Sequence, residues 1–329
     1  MRSAIIGVGS IAQSHINALL KTGHEIVALC DLIEERCARA KERFALDSPS
    51  YTDYRVMIRE THPDCVHICL PHYLHAPVAC DALSMGVNVL CEKPLAISYR
   101  QLEELETAVK NSSARLGVCH QNRYNNASLE AKSFLAGKTV STAAATLAWC
   151  RDAKYYAEAP WRGRWETEGG GVMINQALHT LDLLQWLCGM PCEAIATVAN
   201  HTLKDKIEVE DTAFGLFRVN DTTNFIINAT NASHYSMPVH VSIATTEGET
   251  LEFSGRHLLI CGSYVKTDDK KPEFGKSVYG NGHCRLIEDF YDCLATGRAF
   301  PIDYYEARKV IELILAMYKS NGEKVTIGK

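Results

Sequence analysis

The segment "SAIIGVGSIAQSHINALLKTGHEIVALCD", residues 3–31, constrains the fold more than any other part of the chain. Ser3 to Ile6 is a short apolar strand, and the turn "GVGSIA" follows it at once. Ile11, His15, Ala18 and Leu19 then recur at helical spacing, and Gly23 supplies a left-handed helix stop. Glu25 to Cys30 is a second apolar strand, ending on Asp31. The cycle repeats with helices over Glu34 to Phe44, Ala76 to Met85 and Tyr99 to Lys110. Strands fall at Cys65 to Leu70, Val87 to Cys91 and Arg115 to His120. Short continuous apolar strands alternating with helices fold as a parallel sheet covered on both faces.

Gly7, Gly9 and Ala12 form the small-residue variant of the dinucleotide-binding turn, with Ser10 and Ile11 inside it. Gly7 permits the tight turn, Gly9 lets backbone approach a pyrophosphate, and Ala12 lets the helix pack closely on the strand. Asp31 follows Gly9 at the spacing of a ribose-binding carboxylate, and no arginine comes before Arg36, so NAD is expected rather than NADP. In an open parallel sheet, ligands bind at the carboxyl ends of strands. Three other strand ends there are unusually polar: "LPHYLH", "CEKP" and "CHQNR". Together they predict a cofactor groove lined by Leu70, Pro71, His72, His75, Glu92, Lys93 and Gln121.

After residue 121 the pattern changes. A helix near Ala127 to Leu135 precedes strands at Val140 to Trp149, Ala194 to Val198, Thr212 to Val219, Asn224 to Ala229 and Val239 to Thr245. "VNDTTN" and "TTEGET" are hairpin turns. Residues 1–121 are therefore expected to form a nucleotide-binding domain, and 122–329 an α+β domain with an open, mostly antiparallel sheet.

"EGGGVMINQALHTLDLLQWLCG" contains a helix that is apolar nearly all round, yet Asn175, His179 and Asp182 fall on one face. An unpaired buried polar group costs roughly 1–3 kcal/mol, so this line is either satisfied internally or turned to a cleft. His179 reads as a core histidine or as a group exchanging a proton with a substrate hydroxyl. Upstream, "AKYYAEAPWRGRWE" places Tyr156, Trp161 and Arg162 where they either stack on and clamp a substrate or simply pack a loop. Arg123, the last residue of "CHQNR", is a further candidate for the substrate pocket.

A net charge of −5 with no basic block excludes an electrostatic nucleic-acid footprint, and no apolar run is long enough for a membrane span. Thirteen cysteines, mostly inside apolar stretches, fit a reducing cytoplasm better than a disulfide framework. Cys188 and Cys192 lack a second pair at zinc spacing, so no metal site is expected.

The turn Gly7 to Ala12, the triplet Glu92-Lys93-Pro94 and the glycine-led helix carrying His179 together resemble the glucose–fructose oxidoreductase/inositol dehydrogenase (Gfo/Idh/MocA) family. "LPHYLH" and the closing "HCRLIEDFYDCLATGR" extend the likeness over nearly the whole chain. The resemblance implies an NAD-dependent dehydrogenase acting on a carbinol of a sugar, cyclitol or sugar derivative, assembled as a homodimer or homotetramer. It implies that Lys93 contacts substrate and nicotinamide ribose and moves a proton, while His179 contacts the reacting hydroxyl. Many members carry aspartate four residues before that histidine. Asn175 stands there in this chain and cannot stabilise an imidazolium by charge, which shifts proton transfer towards Lys93 and leaves His179 orienting. The resemblance also admits a glycoside hydrolase with tightly bound NAD, and a non-catalytic NAD-binding regulator.

Overall fold

The computed structural model describes residues 1–255, 257–265 and 282–328, which divide into two compact units. The first begins with β1 (Arg2–Ile6), β2 (Glu25–Cys30), β3 (Ser50–Tyr51), β4 (Cys65–Ile68), β5 (Asn88–Cys91) and β6 (Leu116–Val118). These pair in parallel in the order β3-β2-β1-β4-β5-β6, the doubly wound topology. Between them run α1 (Ala12–Lys21), α2 (Glu34–Phe44), α3 (Tyr54–Thr61), α4 (His72–Ser84) and α5 (Tyr99–Lys110). The central strands bury both faces, as their unbroken apolar runs require: Ala4, Ile5, Val66, Val89 and Leu90 are all fully buried. Strand order reverses between β1 and β4, so the switch point lies beside the glycine turn.

Two helices between these strands differ from the sequence expectation. α4 starts at His72, not Ala76, because Pro71 takes the N-cap position with φ −57° and the helix follows directly from the strand exit. α3, absent from the sequence expectation, buries Met57, Ile58 and Thr61 and is started by Asp53, whose carboxylate accepts from the Arg55 and Val56 N–H groups.

The second unit carries α6 (Asn126–Phe134), β7 (Val140–Ala148), α7 (Ala153–Ala157), a π-turn over Met173–Ala177 and α8 (Leu178–Cys188). Then come β8 (Glu193–Ala199), β9 (Thr212–Arg218), β10 (Asn224–Thr230), β11 (His240–Thr245), β12 (Thr250–Ser254), β13 (His257–Ile260) and β14 (Ser263–Val265). With β15 (Val325–Thr326) they form a nine-stranded sheet, antiparallel except where β10 runs parallel to β7. One face is core, with Ala145, Phe217, Phe225 and Ile227 buried; Ile195, Phe214, Leu216 and Ile226 are exposed on the other.

Late in the chain, α9 (Gly282–Thr296) returns to the first unit, and α10 (Tyr304–Ser320) follows it. The first unit thus draws on more than one stretch of the chain. Phe290 and Phe300 fill the space left by Gly117 in β6, where a Cβ would sit 2.7 Å from the Phe290 ring, and the Tyr291 hydroxyl bonds Ser3 of β1.

Candidate active site

In the first unit the glycine turn is shaped by close approach. Gly7 has φ +89°, and a Cβ there would lie 2.5 Å from the Cys69 carbonyl oxygen. Gly9 has open space where its side chain would be. α1 begins with no side-chain cap and no acidic residue in its first turn, leaving its N–H groups to an anion. At the end of β2 the buried Asp31 carboxylate accepts from Val8 N (2.8 Å) and Ile33 N (2.9 Å). The first turn of α2 also lays Arg36 against it at 3.4 Å, an arginine nearer to this carboxylate than its place in the sequence suggested.

Lys93 leaves β5 half-buried, and the bond to Pro94 is cis. Its backbone is held from two sides. Glu92 Oε2 accepts from Lys93 N at 3.1 Å, and the His75 ring, from α4, meets Pro94 O and Leu70 O at 2.7 Å each. Burial, the larger effect, keeps His75 below its ordinary pKa, against two carbonyls that favour its protonated form. Glu92 Oε1 takes Nε2 of both His15 (3.0 Å) and His283 (3.2 Å). Burial opposes ionisation of Glu92, but these histidines prevail and hold its carboxyl well below the usual range. Behind them the contacts continue from His15 Nδ1 to His67 Nδ1, and from His67 Nε2 to Tyr291 and Ser3. Cys119 brings a sulfur to 4.0 Å from His15, completing a buried His15–Glu92–Cys119 group. Hydrogen bonds from both imidazoles to Glu92 account for its compactness, and burial keeps the Cys119 thiol protonated.

Glu92 and His75, expected at the cofactor, thus direct their polar atoms to neighbouring protein groups and brace the lysine turn. Leu70 and Pro71 are half-buried and His72 is buried. Gln121 is buried, with its Oε1 lacking a hydrogen bond. Arg123, expected at the substrate, is buried and gives Nη1 to Glu306 at 2.8 Å.

In the second unit, the helix carrying His179 opens with a π-turn, so Asn175 and His179 are not related by the regular helical spacing the sequence suggested. π-turns of this kind concentrate at functional sites. Its start is fixed by Glu210, which accepts from Gly171 N (2.8 Å), Met173 N (3.0 Å) and the Tyr318 hydroxyl (2.9 Å). Asn175 is half-buried; His179 and Asp182 are buried. Asn175 donates through Nδ2 to Glu168 Oε1, and a 3.4 Å contact links it to the Tyr155 hydroxyl. Gln176 reaches the same hydroxyl at 3.2 Å and accepts from Asn231, which also meets the Tyr156 hydroxyl.

Sequence reasoning missed Glu168. Burial pushes its pKa up to about 7, against N–H groups from Gly163 and Asn175; Glu210 is raised to about 7 by burial as well. The aromatic loop is largely packed: Tyr156 joins Leu203, Ile207 and Val209, and Trp165 donates to Glu208 O. Arg162 lies over the Tyr155 ring at 4.1 Å, with Trp161 beside it at 5.6 Å.

Residues 1–120 match the family model described as "Oxidoreductase family, NAD-binding Rossmann fold", and residues 136–251 match the GFO/IDH/MocA C-terminal domain. The chain belongs to the Gfo/Idh/MocA oxidoreductase family. Among solved structures it is similar to the WlbA dehydrogenase of Bordetella pertussis, in complex with NADH and UDP-GlcNAcA. The TM-score is 0.86 at 26% identity, covering 100% of this chain and 99% of that one. Among curated relatives it is 20% identical over 336 residues to the scyllo-inositol 2-dehydrogenase (NAD(+)) of Bacillus subtilis (strain 168), covering 99% of this chain and 96% of that protein. It is 21% identical over 253 residues to inositol 2-dehydrogenase of Salmonella typhimurium (strain LT2), covering 75% and 72%.

This Gfo/Idh/MocA member is an NAD-dependent oxidoreductase, and its turn fits the cofactor: the space beside Gly9 admits a pyrophosphate, the uncapped α1 offers donors, and Asp31 offers a carboxylate. Asp31 repels a 2′-phosphate while neutralising Arg36. We therefore expect Asp31→Ser to move the NADP/NAD ratio of kcat/KM by roughly 100-fold towards NADP, about 3 kcal/mol. Steady-state rates with both cofactors check this; an unchanged ratio removes Asp31 as the selector.

Proposed function

We propose that the protein oxidises a carbinol of a sugar, cyclitol or sugar derivative, or reduces the corresponding carbonyl, with Lys93 as the proton-transfer group. The observation that carries this is the lysine turn. Lys93 stands at the carboxyl end of β5, on the strand edge that also bears the glycine turn and Asp31, and its backbone is fixed by Glu92 and His75. Bound NAD exchanges the hydride. The protein must then take a proton from the hydroxyl as it becomes a carbonyl, and a neutral amine carried on a fixed backbone at the strand exit suits that task. Asn175 and His179 hydrogen-bond and orient the substrate's hydroxyl groups, and Gln121 Oε1 is a buried acceptor available to cofactor or substrate.

The named relatives support the substrate class, since they act on inositols, and the neighbour from Bordetella holds a nucleotide sugar acid. A cytoplasmic setting is supported by thirteen free cysteines. Assembly as a homodimer or homotetramer is supported by the exposed Ile195, Phe214, Leu216 and Ile226 on one sheet face. Among the described residues no helix is long and apolar enough to cross a membrane.

The test is a panel of cyclitols, sugars, sugar acids, nucleotide sugars and glycosides with NAD, followed at the reduced-nicotinamide absorbance band and by assay of released sugar. Stoichiometric NADH formation with one class is expected. Turnover that consumes no added NAD but releases a sugar from a glycoside would replace this reading with the hydrolase. Cofactor binding with no turnover across the panel would favour the regulator.

A further inference from the structure

An asparagine is an ambiguous group in an active site. Its amide presents an acceptor or a donor according to how it is turned, and only neighbouring groups decide which. Asn175 has such a neighbour. Glu168 is 1% exposed and lies seven residues before it, across the run Gly169 to Gly171. Gly169 and Gly170 have φ of +83° and +148°, so the chain folds back there in a way other residues rarely adopt. A Cβ on Gly169 would strike Ile97, and one on Gly170 would strike Tyr318. The reversal puts Glu168 Oε1 on Asn175 Nδ2, while Glu168 Oε2 is held by Gly163 N at 2.5 Å. The Tyr155 hydroxyl contacts the same nitrogen of Asn175 at 3.4 Å. With Nδ2 directed to these two oxygens, the remaining polar atom of Asn175 is the carbonyl oxygen.

We propose that Glu168 is a positioning residue that locks the Asn175 amide so that its oxygen accepts from a substrate hydroxyl beside the reacting one. The proposal rests on the functional reading above, in which Asn175 meets substrate. An ionised Glu168 can only accept, so it selects one amide orientation. A protonated Glu168 can donate to Asn175 Oδ1, and the amide then turns its nitrogen outward. The groups around the carboxyl place that change in the neutral range: burial and the Glu210 charge raise it to about 7, while Arg162, Gly163 N and Asn175 oppose. The phenols of Tyr156 and Tyr318 also feel its charge. Oxidation should therefore be slow below pH 7 and rise as Glu168 ionises.

The test uses the full-length protein with NAD and the best substrate of the panel. Glu168→Gln is expected to lower kcat roughly 10- to 100-fold, leave KM for NAD unchanged and remove the limb of the pH profile near 7. Reversing the polarity of the pair, Glu168→Gln with Asn175→Asp, should recover most of the loss, because the glutamine amide then donates to a carboxylate acceptor at 175. A role in folding alone would not give that rescue, and melting temperatures of both variants monitor it. A wild-type kcat and pH profile in Glu168→Gln, or a swapped pair no faster than the single variant, would overturn the proposal. If the wild-type protein turns over no substrate, the functional reading fails by itself. The lock is then read from the side-chain amide resonances of Asn175. A titration with a midpoint near 7 that Glu168→Gln abolishes sustains it, and resonances indifferent to pH reject it.

Discussion

Lys93→Met is expected to slow turnover by about a thousandfold while NAD still binds. The expected clean separation of chemistry from binding follows from how the turn is held. Glu92 and His75 grip the backbone at Lys93 N and Pro94 O, and neither contact uses the lysine side chain. Methionine keeps the length of the lysine stem, so the turn persists and only the amine is lost. The loss should fall on kcat, with the fluorescence titration of bound NADH and the melting temperature near the wild-type values. Near-normal turnover would transfer the proton to His179. Replacing the brace should behave differently: Glu92→Ala leaves His15 and His283 without their carboxylate in a buried site and should disturb folding as well as rate.

The nucleotide-binding half was legible because its signals are local. A buried parallel strand is a short unbroken apolar run, and Gly7, Gly9 and Asp31 sit at fixed offsets from two such runs. The spacing of Asn175 and His179 was also local, but the π-turn at Met173–Ala177 inserts a wider turn that helical periodicity does not register. What stayed hidden depends on distant partners. Arg123 was expected at the substrate, and its tie through Nη1 to Glu306 lies 183 residues on. Glu92 looked like a cofactor contact, yet it braces the turn through His283, on a helix the chain adds 191 residues later. Glu168 could not be matched to Asn175 because periodicity fails across glycines with positive φ. A buried acidic residue immediately before three glycines was the available cue, and only its contacts give it meaning.

Glu210→Ala is expected to lower the melting temperature by about 10 °C, the largest stability effect among these substitutions. The side chain is fully buried and satisfies Gly171 N, Met173 N and the Tyr318 hydroxyl at once. Truncation leaves three buried donors to find partners, a cost of about 4 kcal/mol after partial relaxation. A Cβ on Gly171 would fall 1.8 Å from the Glu210 carbonyl oxygen, so the two strands of chain lie too close for any larger side chain to repair the gap. The same group makes stability depend on pH in a direction opposite to most carboxylates. Its folded pKa of about 7 lies above the ordinary value near 4.3, so the folded protein prefers the neutral acid. That preference is fully present below about pH 4.3 and is lost as pH rises through 7, at a cost of roughly 3 kcal/mol. Glu168 adds a second contribution of the same sign. Melting temperature should thus fall between pH 5 and 7.5, and Glu210→Gln, which keeps the shape without the charge, should flatten that fall by about half. A slope unchanged in Glu210→Gln would mean that the carboxyl is ionised throughout. The start of the helix bearing Asn175 and His179 would then rest on a buried anion rather than a neutral acid, and Glu168, which feels that charge, would titrate higher still.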